Sequence, residues 1–157
     1  MKAKFLLSTT KTLFLLLLVS LFSSCTCTQR LNMGPTVPPS FQLKGNAIFD
    51  WCEIFDITVY RTDNTMPPPI WRLEPNGMVI KLDDLAQITY GQIPVNLVQV
   101  IPKAGQPPAL LEGHRYHFRA IVRTPDTIAL KQVFMISGGK IEILEEKNQY
   151  SSSCFAD

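Results

Sequence analysis

The sequence has little of what metal sites and catalytic sites are built from. It contains two histidines, His114 and His117, in the stretch LEGHRYHFRA. Residues three apart on a strand face opposite sides, so these two are not expected to share a metal ion. No serine or cysteine lies in a nucleophile-elbow or papain-like context, and SGGK at 137–140 lacks the spacing of a phosphate-binding loop. We therefore expect a protein that is not an enzyme, with no cofactor, no metal and no small-molecule substrate.

The chain also lacks an apolar run long enough to cross a bilayer. Its apolar stretch, TLFLLLLVSLF, has a core of about ten residues, whereas a spanning helix needs about twenty. Lys2, Lys4 and Lys11 precede this stretch, and Ser23, Ser24 and Cys25 end it. This layout is typical of a secretory signal peptide, which we place at residues 1–24.

The small residues before Cys25 resemble a bacterial lipobox. That resemblance implies that Cys25 becomes the first residue after cleavage and carries acyl chains such as palmitate; cleavage without lipidation stays open. Thr26 stands where an aspartate would resemble an inner-membrane retention signal. We expect a lipoprotein anchored in the outer membrane and facing the periplasm, with the inner membrane as the alternative.

A strong charge of either sign is missing once the signal peptide is removed. The chain has 15 basic and 13 acidic residues, and three of the lysines precede Cys25. The remaining 12 basic and 13 acidic residues give no concentrated basic stripe, so we expect no nucleic-acid partner.

The rest of the chain divides into a tether, one domain and a tail. Residues 25–40 have little apolar content and three prolines, which predicts the lipidated cysteine followed by a flexible tether. The alternative is that part of this stretch pairs as a first strand. We place the domain at residues 41–147, beginning at Phe41, and the C-terminal tail at residues 148–157.

Within the domain the apolar residues recur with a period of two. In EIFDITVYR, Phe55, Ile57 and Val59 are expected on one side, while Asp56 and the other alternate residues face away. Similar short strands, separated by turn signals such as Asn-Gly and by prolines, follow to the end of the domain. The pattern predicts an all-β fold, a single antiparallel β-sandwich.

One stretch resembles a known structural corner. Leu111, Gly113 and Tyr116 resemble the corner that enters strand F of fibronectin type III and related immunoglobulin-like domains. The resemblance implies that Leu111 plugs the core, Gly113 turns the chain, and the Tyr116 hydroxyl bonds to the preceding loop. It also implies that Trp71 lies in the core between the sheets.

A wider resemblance concerns function. The order PIWRLEP, ITYGQIP, LLEGHRYHF and FMISGGKIEI is similar to uncharacterised bacterial lipoproteins, some described as periplasmic immunity proteins of type VI secretion systems. This implies a protein partner, such as a secreted effector that the lipoprotein neutralises. The alternative is a structural or assembly accessory of an envelope or secretion machine.

The remaining cysteines and several surface side chains are also assigned roles. With Cys25 acylated, Cys27, Cys52 and Cys154 remain, and a Cys52–Cys154 disulfide is favoured over Cys27–Cys154. The residues predicted to contact a partner are Tyr60, Arg61, Met66, Arg119 and Arg123.

Overall fold

The computed structural model describes residues 26–46, 52–62, 67–85, 87–123, 127–147 and 149–153. These ranges form strands joined by turns, with one 3₁₀ turn at Leu82–Asp84. The strands are β1 Thr26–Met33, β2 Ser40–Asn46, β3 Glu53–Arg61, β4 Pro69–Pro75, β5 Ile88–Thr89, β6 Leu97–Ile101, β7 Arg115–Arg123, β8 Thr127–Ser137, β9 Lys140–Lys147 and β10 Gln149–Ser153. No helix in the described ranges is long and apolar enough to cross a membrane.

The strands form two antiparallel sheets. Sheet A has the order β10-β1-β2-β5, and sheet B has the order β6-β4-β3-β7-β8-β9. The sheets meet across one core, where Phe41 of β2 stacks on Phe118 of β7 with ring centroids 3.9 Å apart. Strands β3, β7 and β8 are arranged like strands C, F and G of an immunoglobulin-like sandwich, and β1, β2 and β5 like A, B and E. The predicted immunoglobulin-like antiparallel β-sandwich is confirmed.

Strand β7 shows most clearly how the two-residue period builds the core. Its buried residues are Tyr116, Phe118, Ala120 and Val122. The residues between them, including His117 and Arg119, are half-buried on the opposite side of sheet B. Alternate side chains of a strand point to opposite faces, so one face of β7 joins the core while the other carries polar groups.

A bulge in β3 overturns one of our assignments. Ile54 pairs with Val122 and Asp56 pairs with Ile121, so Phe55 is an extra residue between two consecutive partners. An extra residue reverses the alternation, because two residues of one strand then oppose one of the other. Phe55 is therefore 50% exposed, and Ile54 takes the inward position. The prediction that Phe55 lies on the same side as Ile57 and Val59 was wrong.

The assigned tether and tail contain strands. β1 pairs with β2 from Thr28 opposite Asn46 to Met33 opposite Phe41, and with β10 from Thr26 opposite Ser153. The alternative of a first strand is therefore the correct one, and the domain begins before Phe41. A strand with one solvated face needs few apolar residues, and here the fully buried Leu31 supplies the contact with the core.

In the corner before β7, Tyr116 has the expected role but Leu111 does not. The Leu111 N–H donates a hydrogen bond to the Tyr116 hydroxyl at 2.8 Å, and Gly113 has a φ of 74°, which suits glycine. Leu111 itself is 49% exposed, so its expected role as a core plug was wrong. Leu110 packs against the core instead. The backbone of Leu111 is held by the buried phenol while its side chain points to solvent.

Trp71 anchors β4 from the inner side. It has no exposed surface, and its Nε1 donates to Gln99 Oε1 at 3.2 Å. The Tyr90 ring packs edge-on against it, with centroids 5.2 Å apart, and the Tyr90 hydroxyl donates to the Pro108 carbonyl at 2.8 Å. Burial raises the pKa of the Tyr90 phenol, so the phenol keeps the proton that it donates. These contacts fix β4, and with it the outward position of Arg72.

The sandwich has two ends that can be told apart from the strand pairing. The Ile141 N–H donates to the Pro35 carbonyl at 3.1 Å, so the end of β1 lies beside the start of β9. The antiparallel pairing of β9, β8, β7 and β3 then places the end of β3 on that same side. We call this the distal end. The opposite end, where β1 and β3 begin and β10 finishes, is the proximal end.

Candidate interaction surface

The outward side of sheet B carries polar and aromatic side chains on three adjacent strands. We call this set the outer face; it consists of Asp56, Thr58, Tyr60, Arg72, Glu74, His117 and Arg119. The register places Thr58 between Arg72 and Arg119, and Tyr60 beside His117. Because these positions alternate with core residues, all of them point away from sheet A.

A buried carboxylate lies at the centre of the outer face. The Asp56 side chain is 4% exposed, and its Oδ2 lies 3.4 Å from Nη2 of Arg72 and 3.7 Å from Nη2 of Arg119. Thr58 Oγ1 donates a hydrogen bond to Asp56 Oδ1 at 3.3 Å. A charge is tolerated in such a place only when it is paired, and two guanidinium groups pair this one. Asp56 therefore holds both arginines in position.

Arg119 is held from a second side by aromatic groups. Its Cζ lies 5.3 Å from the centre of the Tyr60 ring, a cation–π distance. The His117 ring lies 6.0 Å from the Tyr60 ring and is tilted by 34°. The Arg119 side chain still keeps 31% of its surface exposed. Its guanidinium is thus held on two sides, while about a third of the side-chain surface remains accessible to solvent.

Arg72 connects the centre of the outer face to the proximal end. Its Nη2 lies 2.7 Å from Oε1 of Glu74, and both of these side chains are more than one-third exposed. The Nε atoms of Arg72 and Arg119 are buried and have no hydrogen-bond partner among the described residues. A buried donor without a partner costs stability, so the cluster is not optimised for stability alone.

A groove adjoins this cluster at the proximal end. It has a volume of about 370 Å³ and is lined by Glu53, Ile54, Phe55, Arg72, Glu74, Pro75, Gly77, Met78, Val79 and Arg123. Phe55, Met78 and Val79 are each at least half exposed. The Arg123 guanidinium carbon lies 5.3 Å from the centre of the Phe55 ring. The groove therefore combines an apolar rim with two arginines and two carboxylates.

The predicted partner-binding residues are distributed over three places. Tyr60 and Arg119 are in contact on the outer face, and Arg123 lines the groove. Arg61 lies at the distal end of β3, where its Nη2 is 2.8 Å from Nδ1 of His114. Tyr60 and Arg61 therefore do not form one contact surface, although we expected both to face outward. Met66 lies outside the described residues.

The two histidines have different surroundings. His114 contacts Arg61 in the turn before β7, whereas His117 lies on the outer face against Tyr60. Across the described ranges, no group of three or more His, Cys, Asp and Glu residues is arranged to hold a metal ion.

The sequence prediction missed the centre of the outer face. Asp56 was assigned only to the side opposite Ile57 and Val59, Arg72 was given no role, and Phe55 was placed on the wrong side. One signal was present, because aspartate is unfavourable inside a strand and EIFDITVYR carries one between apolar residues. Its two arginine partners could not be found that way, since they come from strands that are distant along the chain.

Comparison of the chain with models of protein families, with curated proteins and with solved structures found no match.

Proposed function

We propose that this protein is a membrane-anchored lipoprotein of the bacterial envelope that binds a protein partner through the outer face of sheet B. The observation that carries the proposal is the fixed geometry of Arg119, held between the buried carboxylate of Asp56 and the ring of Tyr60 while still partly exposed. Arginine and tyrosine are over-represented among the residues that dominate binding energy in interfaces. Side chains that are already ordered lose less conformational entropy on binding.

The outer face suits binding rather than catalysis. Its carboxylate is engaged by two guanidinium groups, which leaves it poorly placed to act as a base or nucleophile. Its accessible groups are an arginine edge, a phenol and an imidazole, which offer hydrogen bonds and aromatic contact to another protein. We therefore propose stoichiometric capture of a partner as the activity.

The partner that we propose is a secreted effector that reaches the periplasm, which makes this protein an immunity protein. The sequence resemblance supports this choice. The alternative is a structural or assembly role in an envelope or secretion machine, which needs the same kind of surface.

Co-expression separates these functions. The protein encoded next to this gene is directed to the periplasm with or without the lipoprotein, and surviving cells are counted. Immunity predicts survival only with the wild-type lipoprotein, and loss of protection in an Arg119→Glu variant. The matched control is Lys44→Glu, an exposed cation on β2 of the other sheet. Equal killing in all strains would contradict immunity and favour the structural role.

The proposed anchor is an acylated Cys25. Replacement by serine should abolish labelling with a palmitate analogue and move the protein out of the membrane fraction. Wild-type protein that stays unlabelled and soluble in the periplasm would contradict the anchor without affecting the outer-face proposal.

We also propose that Cys52 is bridged to Cys154. Cys52 is buried directly before β3. β10 ends at Ser153, one residue before Cys154, at the proximal end where β3 begins. Cys27 of β1 lies near the same end, and the side chains of both candidate partners are outside the described residues. Peptide mapping without reduction decides between the pairings: a linked Cys52–Cys154 peptide supports the proposal, and a Cys27–Cys154 or Cys27–Cys52 peptide contradicts it.

A further inference from the structure

Several exposed apolar side chains of the described residues lie together at the proximal end. Phe55, Met78 and Val79 border the groove there. Glu53 and Arg123, which lie opposite each other in β3 and β7, also line it. The Asn76 N–H donates to the Asn96 carbonyl at 2.9 Å, which brings the loop containing Val95 to the same end. Val95 is 84% exposed. Such a concentration of large apolar side chains on one end of a domain indicates an interaction surface.

The proximal end would lie close to the membrane, because β1 begins there, directly after Cys25. Thr26 is already part of sheet A, paired with Ser153, and Cys25 is the residue before it. If Cys25 carries the acyl chains, no linker separates the sandwich from the membrane, since one residue spans about 3.5 Å. Packed sheets lie about 10 Å apart, so the proximal end of sheet B is also close to the lipid headgroups.

We propose that the proximal end is a membrane-docking surface, in which Phe55, Met78 and Val79 enter the headgroup region of the bilayer. This proposal rests on the lipid anchor proposed above. The side chains have the composition that suits a lipid surface: apolar groups for the acyl boundary, with the exposed Arg123 and Lys81 nearby for lipid phosphates. Of the carboxylates in the groove, Glu74 is paired with Arg72 and so opposes lipid phosphates less.

Docking at this end would orient the outer face. The groove would rest against the bilayer, and the strands of sheet B would lead from it toward the distal end. Tyr60 and His117, which are paired near the distal end of β3, would then be held away from the lipid. The lipid surface and the protein partner would thus contact different parts of one sheet.

The test uses one added tryptophan at each end of the full chain. Val79→Trp reports on the proximal end, and Val37→Trp, in the turn after β1, reports on the distal end; both positions are exposed. Each lipoprotein is purified from membranes and reconstituted in vesicles of phosphatidylethanolamine and phosphatidylglycerol, with or without brominated acyl chains that quench indole fluorescence. The two native tryptophans give the same background in both variants.

Brominated lipid should reduce the added Val79→Trp signal about twofold or more, since that indole would reach the acyl boundary. The Val37→Trp signal should not change. Equal quenching of both variants, or none in either, would overturn docking even if the protein floats with the vesicles. Protein that fails to float would instead contradict the lipid anchor, and docking with it. A Val79→Trp fluorescence signal that changes on addition of the neighbouring gene product, and not with brominated lipid, would show that this end binds a protein and not the bilayer.

Discussion

The central part of the outer face and the proximal groove belong to the same sheet but hold their side chains in different ways. At the centre, Asp56 fixes the two arginines, and Tyr60 covers one of them. In the groove, Met78 and Val79 are exposed and bring no charge or hydrogen-bonding group to the surface. A fixed polar arrangement can recognise one partner with directional bonds, whereas exposed apolar side chains suit a deformable surface such as lipid. The two proposed contacts, with a protein and with lipid, call for this difference.

The largest loss of stability is expected from truncation of Trp71, the buried residue of β4 next to Arg72, which belongs to both regions. Trp71→Ala should lower the free energy of unfolding by about 3 to 5 kcal/mol, because it truncates a fully buried side chain directly before Arg72. Chemical denaturation measures this loss. If the variant were as stable as wild type, Trp71 would not be the inner anchor of β4.

Removing the central carboxylate should lower stability through the loss of its contacts with Arg72 and Arg119. Asp56→Ala removes the carboxylate shared by Arg72 and Arg119 and leaves Arg72 with its exposed partner Glu74, so we expect a loss of about 1 to 3 kcal/mol in the free energy of unfolding. This loss is smaller than is usual when one partner of a buried ion pair is removed. Both arginine side chains are about one-third exposed, so their guanidinium groups can be solvated by water. Glu74→Gln removes the exposed carboxylate partner of Arg72 and is the matched control, expected to cost less than about 0.5 kcal/mol. Equal losses for the two variants would show that Asp56 has no special role.

Removal of the Tyr116 hydroxyl should lower the free energy of unfolding by a smaller amount. Tyr116→Phe keeps the buried ring but leaves the Leu111 N–H without its acceptor, so we expect a loss of about 1 to 2 kcal/mol in chemical denaturation. A change below the error of that measurement would indicate that the Leu111 N–H finds water instead.

The smallest change in stability is expected in the groove. Val79→Ser should alter the free energy of unfolding by less than about 0.5 kcal/mol, since the valine is largely exposed. A loss of membrane docking in this variant could then not be explained by a loss of stability. A large loss of stability would mean that the groove is part of the core, and not a docking surface.

The parts of the fold that could be predicted from the sequence are those that a simple period determines. Strand β7 alternates without interruption, so a period of two is enough to put Tyr116, Phe118, Ala120 and Val122 on one face, and that face is the buried one. Strand β1 was missed because it presents one buried leucine and a mostly polar sequence, which is also typical of a tether. Phe55 was assigned to the wrong face because a bulge is a feature of strand pairing, not of local composition.

The candidate site was predicted only in fragments for a related reason. Tyr60 and Arg119 were both named, but their contact depends on the register between β3 and β7. Asp56 acquires its role only when Arg72 and Arg119 arrive from the strands on either side. Periodicity gives the face on which a residue lies, and the pairing of distant strands decides which neighbours it has there.

The most direct test of the central claim is the mass and affinity of the complex with the neighbouring gene product. Light scattering after size-exclusion chromatography should show a one-to-one complex with the wild-type lipoprotein, and titration calorimetry should show at least about tenfold weaker binding for Arg119→Glu, as expected for a central interface arginine. Lys44→Glu should bind like wild type. A complex that tolerates Arg119→Glu as well as Lys44→Glu would contradict the assignment of the outer face as the partner-binding surface.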